Sequence, residues 1–353
     1  MPQTEQDIET PAFVISEARA LANIAKFQAH CDAQGLQLRP HIKTHKSIRF
    51  ARAQVSAGAV GINCQKIGEA EVMADGGLDD ILITFNILGA SKSRRLRTLA
   101  ERVTLRVVAD NETVIQGLSE AFADASAPLR VLIECDTGAA RCGAQSPDEA
   151  VRLAELVDQS AGLVFDGLLT YPAVGGQADV VTFMTRAKGE LAHKGLGCPT
   201  ISSGGSPDMW RADTGGIITE YRIGTYIYND RSLVARGTCT WDDCAGHVLA
   251  TVVSRPTGTR AIIDAGSKVL TSDLLGLEGH GHVLGHPDAR IMGLSEEHGV
   301  IEVPEDCTLT VGERVRIVPN HVCVVANMLD HAWLESPAGQ FSKLDTDARG
   351  RVN

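Results

Sequence analysis

The sequence predicts an α/β protein in two parts: a (β/α)8 barrel and a mostly antiparallel β domain. Three observations lead there. Over the first two thirds of the 353 residues, short apolar runs alternate with helical patterns, and eight such alternations in about 200 residues suit a parallel barrel. From Gly237 onward helical periodicity fades, and strands and turns take over. No low-complexity linker separates the two patterns. The barrel is expected over residues 16–235, and the β domain over 1–15 and 236–353.

The expected barrel strands are LQLRPH (36–41), AVGINC (59–64), DILITF (80–85), VTLRVVA (103–109), LRVLIEC (129–135), LVFDGLLTY (163–171), TISS (200–203) and EYRIGTY (220–226). Between them lie helical stretches such as EARALANIAKFQAHCDAQG and SPDEAVRLAELVDQS. The second opens on Ser146-Pro147-Asp148-Glu149, a capped helix start with acids near the positive end of the dipole. In the last third, HVLATVVSRP, TRAIIDAG, GVIEVPEDCTLTVGERVRIVPNHVCVVANM and HAWLESPAGQ read as strands and turns.

Composition narrows the function. With 44% hydrophobic residues the chain can bury a large core. Its 33 basic and 44 acidic side chains give a net charge of -11, which disfavours nucleic acid as a partner. The polar N-terminus MPQTEQDIETPAFVI lacks the pattern of a secretory signal, and no apolar run approaches the ~18 residues of a membrane span. Nine scattered cysteines then read as thiols of a cytoplasmic protein, not as a disulfide framework.

In such a barrel, chemistry sits at the C-terminal ends of the strands. Loaded segments fall there: RPHIKTHK after strand one, ECDTGAARCG (134–143) after strand five, TYPAVGG (170–176) after strand six, SSGGSPD (202–208) after strand seven and RIGTY (222–226) after strand eight. The last two are neighbours in a closed barrel, and their glycines let backbone N–H groups approach a phosphate. A phosphate anchor facing a lysine at the end of strand one is what a pyridoxal phosphate Schiff base requires. Separately, PNHVCVVAN (319–327) holds His321 and Cys323 two residues apart. On a strand that spacing puts both side chains on one face, giving half of a zinc site.

Taken in order, RPHIKTHK, ECDTGAARCG, SSGGSPDMW, RIGTY and the distal NHVC resemble the fold-type III pyridoxal phosphate enzymes, the alanine racemase-like barrels. More closely, the chain resembles the branch that holds D-threonine aldolase and the eukaryotic-type D-serine dehydratase, over nearly its whole length. The resemblance implies that Lys43 carries the cofactor and that Lys46 is a structural lysine. It places His41 and His45 beside the cofactor, in a stacking, proton-relay or packing role. Arg141 matches an arginine near the cofactor ring, and Arg222 resembles the racemase arginine at the pyridine nitrogen. Ser203, Gly204, Gly205, Gly224 and Thr225 form the phosphate cradle. Tyr171 faces the same cavity, as a catalytic group or as an aromatic lid.

The resemblance also implies a divalent metal on His321 and Cys323, zinc first, with manganese, cobalt or magnesium as alternatives. In this branch the aldolases typically show His-x-Asp and the D-serine dehydratases His-x-Cys, so this chain carries the dehydratase version. The implied activity is a lyase on 3-hydroxy-D-amino acids, dehydrating them to a keto acid and ammonia. Cleavage to glycine and an aldehyde is the alternative. A racemase would need a second base, usually a tyrosine from the other domain, and the chain has none from Gly237 on. A non-catalytic pyridoxal phosphate homeostasis protein would leave the last third without a purpose. Three further features are secondary: His298 in SEEHG, which could approach the cofactor or metal; GHGHVLGH (279–286), read as a turn without ligand function; and Asp264, Ser267 and Lys268, read as interface residues. A small-molecule amino acid substrate and a homodimer complete the expectation.

Overall fold

The computed structural model of the chain describes residues 4–212 and 215–353, which fall into two compact units. β1 (Ala12–Ser16) and α1 (Glu17–Ala33) come first in the chain. The larger unit spans Phe27–Lys43, Ile48–Gly224 and Arg351–Asn353. It holds eight strands, β2 (Gln37–Leu38), β3 (Ile62–Cys64), β4 (Asp80–Ile83), β5 (Thr104–Ala109), β6 (Leu129–Cys135), β7 (Leu163–Thr170), β8 (Thr200–Ser203) and β9 (Glu220–Tyr221). Every neighbouring pair is parallel, in the order β2-β9-β8-β7-β6-β5-β4-β3. The sheet closes on itself through a His41–Asn63 bridge, with Val60 N donating to Leu38 O at 2.9 Å and Asn63 N to Pro40 O at 2.8 Å. The expected barrel is therefore present.

Six helices join these strands: α2 (Ile48–Ser56), α3 (Ile67–Asp75), α4 (Ala90–Ala100), α5 (Glu112–Phe122), α6 (Pro147–Gln159) and α7 (Gln177–His193). Their starts follow from local chemistry. Ser146 Oγ accepts the Glu149 amide at 3.2 Å and caps α6, as its sequence predicts. Asn111 caps α5 through the Val114 amide at 3.0 Å.

Alternation along the strands layers the barrel interior. One end is charged: Arg39, buried to 1% exposure, donates to Glu220 Oε2 (2.7 Å) and Asp80 Oδ1 (2.6 Å), and Asp166 pairs with Arg106 (3.1 Å) and Arg130 (3.0 Å). Leu82, Val108, Leu132 and Leu169 form the apolar layer above. Asn63, Thr84, Glu134 and Arg222 follow toward the strands' C-terminal ends, all buried.

The other unit combines the N-terminal segment up to Lys26 with Thr44–Ser47 and Thr225–Gly350. Its strands are β1, β10 (Gly246–Thr257), β11 (Arg260–Ile263), β12 (His282–Val283), β13 (Arg290–Leu294), β14 (Gly299–Glu302), β15 (Arg314–Val318), β16 (His331–Glu335) and β17 (Phe341–Asp345). The order is β13-β14-β11-β10-β1-β16-β17, with β15 pairing β10 and β12. All pairs are antiparallel except β1 with β16. Three short helices interrupt it: α8 (Arg231–Ala235), α9 (Ser267–Leu270) and α10 (Val322–Met328).

α10 corrects an expectation, since VCVVANM reads as a strand. The buried carboxylate of Asp230 overrides its β-branched composition. Asp230 Oδ1 caps α8 through Leu233 N (3.2 Å), while Oδ2 accepts Val322 N (3.2 Å) at the start of α10. One side chain thus satisfies the first turns of two helices. Asp264 accepts Thr10 Oγ1 (2.6 Å) and Thr251 N (2.7 Å) within this unit. Among the described residues, no helix is long and apolar enough to cross a membrane.

Glu5 ties the start of this unit to β10 and β15, accepting from His247 Nε2 (3.2 Å) and Arg316 Nε (2.9 Å). Burial would raise its pKa, but the bonds to His247 and Arg316 outweigh burial and hold it at about 2, against an ordinary 4.5. A carboxylate with a depressed folded-state pKa stabilises above its unfolded pKa and loses that contribution as pH falls through the folded one. Paired urea titrations of the parent and Glu5→Gln should show a full stability gap above pH 4.5 that shrinks progressively toward pH 2.

Candidate active site

RPHIKTHK leaves β2 and turns at once into a 3-10 turn, Ile42–Thr44. His41 sets this turn. Its Nδ1 accepts the Lys43 amide (3.3 Å), which leaves the proton on Nε2 for Gln65 Oε1 (3.0 Å). Gln65 is held in turn by Thr84 O (2.8 Å) and Glu69 Oε2 (2.7 Å). Lys43 is half-buried at the C-terminal end of the barrel strands.

Beside His41 on the barrel wall lies Asn63. Its Oδ1 accepts Thr84 Oγ1 at 3.1 Å, while its Nδ2 is buried without a hydrogen-bond partner. Sequence reasoning missed this residue. A buried donor without a protein acceptor in a barrel interior suits an acceptor on a ligand or a water.

In the ECDTGAARCG loop, Asp136 Oδ1 gathers the amides of Gly138 (2.9 Å) and Ala140 (3.2 Å) and folds the loop back. Arg141 is half-exposed, with its guanidinium 4.7 Å from the Tyr171 ring centre and Nη2 3.5 Å from Glu134 Oε1. Glu134, also missed from sequence, is buried and accepts Cys142 Sγ at 3.2 Å. Arg222 is fully enclosed, donating Nε to Ser202 Oγ (2.8 Å) and Nη2 to Thr170 O (2.7 Å). Burial pulls its pKa down to about 10 against the pull of Glu220 and Glu134.

At the end of β8, Ser203 O accepts the Arg222 amide (2.8 Å). Gly204 has φ +144°, and a Cβ there would collide with the carbonyl oxygen of Arg222. Gly205 is open, its nearest neighbour Tyr171 Cε2 at 3.7 Å from a built Cβ. Gly224 is buried in a bend after β9. The small residues at the ends of β8 and β9 and the buried Asn63 donor beside a lysine fit pyridoxal phosphate on the barrel side.

Thr225 belongs to the other unit. There its Oγ1 lies 3.5 Å from Cys323 Sγ, and Thr44 Oγ1 lies 3.1 Å from the same sulfur. Thr44 is the residue that follows Lys43 in the chain. Lys46 Nζ donates to Asn327 Oδ1 at 2.7 Å. Cys323 and Asn327, one helical turn apart on α10, thus hold the Thr44–Ser47 segment. His45, in that segment, is 2% exposed, and its Nδ1 accepts the Ser47 amide at 3.1 Å.

His321 and Cys323 do come together, but not across a strand face as their spacing suggests. His321 is the residue before α10, and Cys323 lies in its first turn. Burial is the largest single influence on the Cys323 thiol and raises it, but the hydrogen bond and charge of His321 together with the Thr225 and Thr44 hydroxyls outweigh it and leave the thiol below its ordinary range. Burial lowers His321, but its bonds to Cys323 and then Asp273 bring it up to about 9. His321 Nδ1 lies 2.8 Å from Asp273 Oδ2. Asp273 lies 48 residues upstream, and no spacing pattern could have marked it. A thiolate beside an imidazole fits a divalent metal with two protein ligands. Among the described residues no group of three or more His, Cys, Asp or Glu side chains is arranged around one ion.

The secondary candidates lie elsewhere. His298 is exposed in the turn between β13 and β14. In GHGHVLGH, His282 stacks on Trp241 at 4.0 Å, and Gly279 O accepts Asn320 Nδ2 at 2.8 Å, so the segment braces the residue before His321. Lys268 pairs at the surface with Glu296 and Glu297.

Residues 15–232 match the alanine racemase N-terminal domain, and residues 245–334 match the model described as "Putative serine dehydratase domain". The chain belongs to the alanine racemase N-terminal domain family. Within this family, D-threonine aldolase of Arthrobacter sp. is 32% identical over 340 residues, 92% of this chain and 88% of its own length. D-threo-3-hydroxyaspartate dehydratase of Delftia sp. is 30% identical over 353 residues, 92% of this chain and 93% of its own. The crystal structure of D-threonine aldolase from Filomicrobium marinum superposes with a TM-score of 0.92 at 31% identity, covering 100% of both chains.

Alanine at position 204 should cost about 3 kcal/mol or more, because positive φ strain adds to the collision with the Arg222 backbone. Equilibrium unfolding of Gly204→Ala in urea checks this, with Gly205→Ala as the near-neutral control.

Proposed function

We propose that the protein is a pyridoxal phosphate- and divalent metal-dependent lyase that dehydrates 3-hydroxy-D-amino acids to a keto acid and ammonia. The coarser class, a lyase on D-amino acids, rests on the family and on relatives that cover nearly the whole chain. The observation that carries the finer reading is a thiol, Cys323, hydrogen-bonded to His321 and touched by Thr44, the residue after Lys43.

When bound, the cofactor supplies an electron sink at the substrate Cα, and the metal supplies a Lewis acid at the β-hydroxyl. The remaining work falls to this chain. Lys43 Nζ anchors the cofactor and takes the Cα proton, from a turn that His41 fixes through the Lys43 amide. Arg141 supplies a fixed cation, held over Tyr171 and tethered to Glu134. Ser203, Gly204, Gly205 and Gly224 offer backbone donors to a phosphate. Asn63 Nδ2 offers a dry donor to an acceptor on the cofactor. His321 and Cys323 hold the metal, and a thiolate ligand suits zinc. Arg222, committed to Ser202 and Thr170, holds β9 against β7 and β8.

A second reading has its own support. Relatives in sequence and in structure include D-threonine aldolases. In that case the same residues cleave the Cα–Cβ bond, and a base takes the β-hydroxyl proton instead of the Cα proton. The family resemblance further supports a homodimer, which sedimentation of the holoenzyme checks.

Purified holoenzyme given D-serine, D-threonine and D-threo-3-hydroxyaspartate should release keto acid and ammonia, and chelator should slow this by about 10²-fold or more. Glycine with an aldehyde as the products would replace dehydration by aldol cleavage. Lys43→Ala should lose the absorbance of the bound cofactor and cut turnover by about 10²–10⁴-fold.

A further inference from the structure

We propose that Asp273 is the positioning residue of the metal centre, fixing the ring of His321 so that Nε2 is the atom offered to the ion. This deepens the metal reading above and rests on it. An imidazole can present either nitrogen, and the bond made by one decides the other. Here Nδ1 meets Asp273 Oδ2 at 2.8 Å, so the partner left for Cys323 and a metal is Nε2. The carboxylate accepts the Nδ1 proton and makes the ring a better donor at its far side.

The position of Asp273 is itself built. It lies just past α9, two residues after Thr271 (φ +64°), whose Oγ1 accepts the Asp273 amide at 3.3 Å. Asp273 O accepts Asn320 Nδ2 at 3.3 Å, and Asn320 is held further by Gly279 O (2.8 Å) and Arg231 Nη1 (2.9 Å). Backbone and side chain of Asp273 therefore engage two consecutive residues, Asn320 and His321. Asp230 fixes the next amide, Val322. The side chain of Asp273 is 44% exposed, more than a core ion pair would leave it, so its removal opens no cavity.

The test measures metal affinity, not turnover. Holoenzyme is stripped with chelator, and zinc alone is titrated back against a competing dye. Asp273→Ala should weaken zinc about 10–100-fold without changing the thermal unfolding of the metal-free protein. Asp273→Asn, which keeps an acceptor for Nδ1–H but not the charge, should bind more tightly than the alanine variant. Cobalt at saturation should still give the thiolate absorption band in both, because Cys323 is untouched. If Asp273→Ala binds zinc within about twofold of the parent while His321→Ala and Cys323→Ala lose it, the positioning role is overturned and the metal reading stands. If none of the variants changes zinc binding, the metal reading fails and this inference fails with it.

Discussion

Closing eight parallel strands into a barrel leaves charged residues at one end of its interior, and one guanidinium joins two of the carboxylates there. Arg39 sits one residue past β2 and reaches Glu220 on β9 and Asp80 on β4 together. Glu220 in turn accepts Ser202 Oγ on β8 at 2.6 Å. The first strand, its neighbour on one side and a strand beyond its neighbour on the other are thus tied through one buried side chain. Removing one partner would strand a charge in the interior, a loss of about 3–5 kcal/mol. Gly61 belongs to the same arrangement, since a side chain there would strike Arg39 and the Asp80 carbonyl. Lys43 stands four residues beyond Arg39, so the direction in which it leaves the barrel is set by this closure.

The β-rich unit obeys a comparable rule around α10. Seven residues are too few for a helix to hold itself in water. α10 exists because Asp230 caps it, Asn320 is clamped from two sides, and Cys323 and Asn327 face a segment that grips both. The same contacts bring a thiol and an imidazole together at the helix start. Packing and chemistry there are a single set of bonds.

The parts legible in the sequence were those that depend on near neighbours in the chain. LRVLIEC coincides with β6 residue for residue, and the Ser146 cap forms as its SPDE pattern requires. The glycines after β8 and a lysine-bearing segment after β2 could be read from turn chemistry and strand ends, while the choice of Lys43 within that segment came from the family resemblance. The strand expected around His321 and Cys323 did not form: apolar β-branched VCVV suggested one, and a carboxylate ninety-odd residues upstream made it a helix. Asn63, Glu134 and Asp273 left no mark at all. Each is an ordinary polar residue in an ordinary run, and its significance comes from partners brought near by folding.

The placement of β1 carries a consequence for how the chain is made. This strand, residues Ala12–Ser16, lies between β10 and β16, pairing Ala12 with Leu249 and Val14 with Trp333. On the ribosome it emerges ahead of the barrel, while its two neighbours appear only after the whole barrel has been translated. At roughly 5–20 residues per second, its apolar face waits for on the order of ten seconds or more. Most barrel strands, β3 to β8, pair with one that follows closely in sequence and have no such wait. Synthesis thus favours a barrel that is already folded when the second sheet assembles around a strand held in reserve.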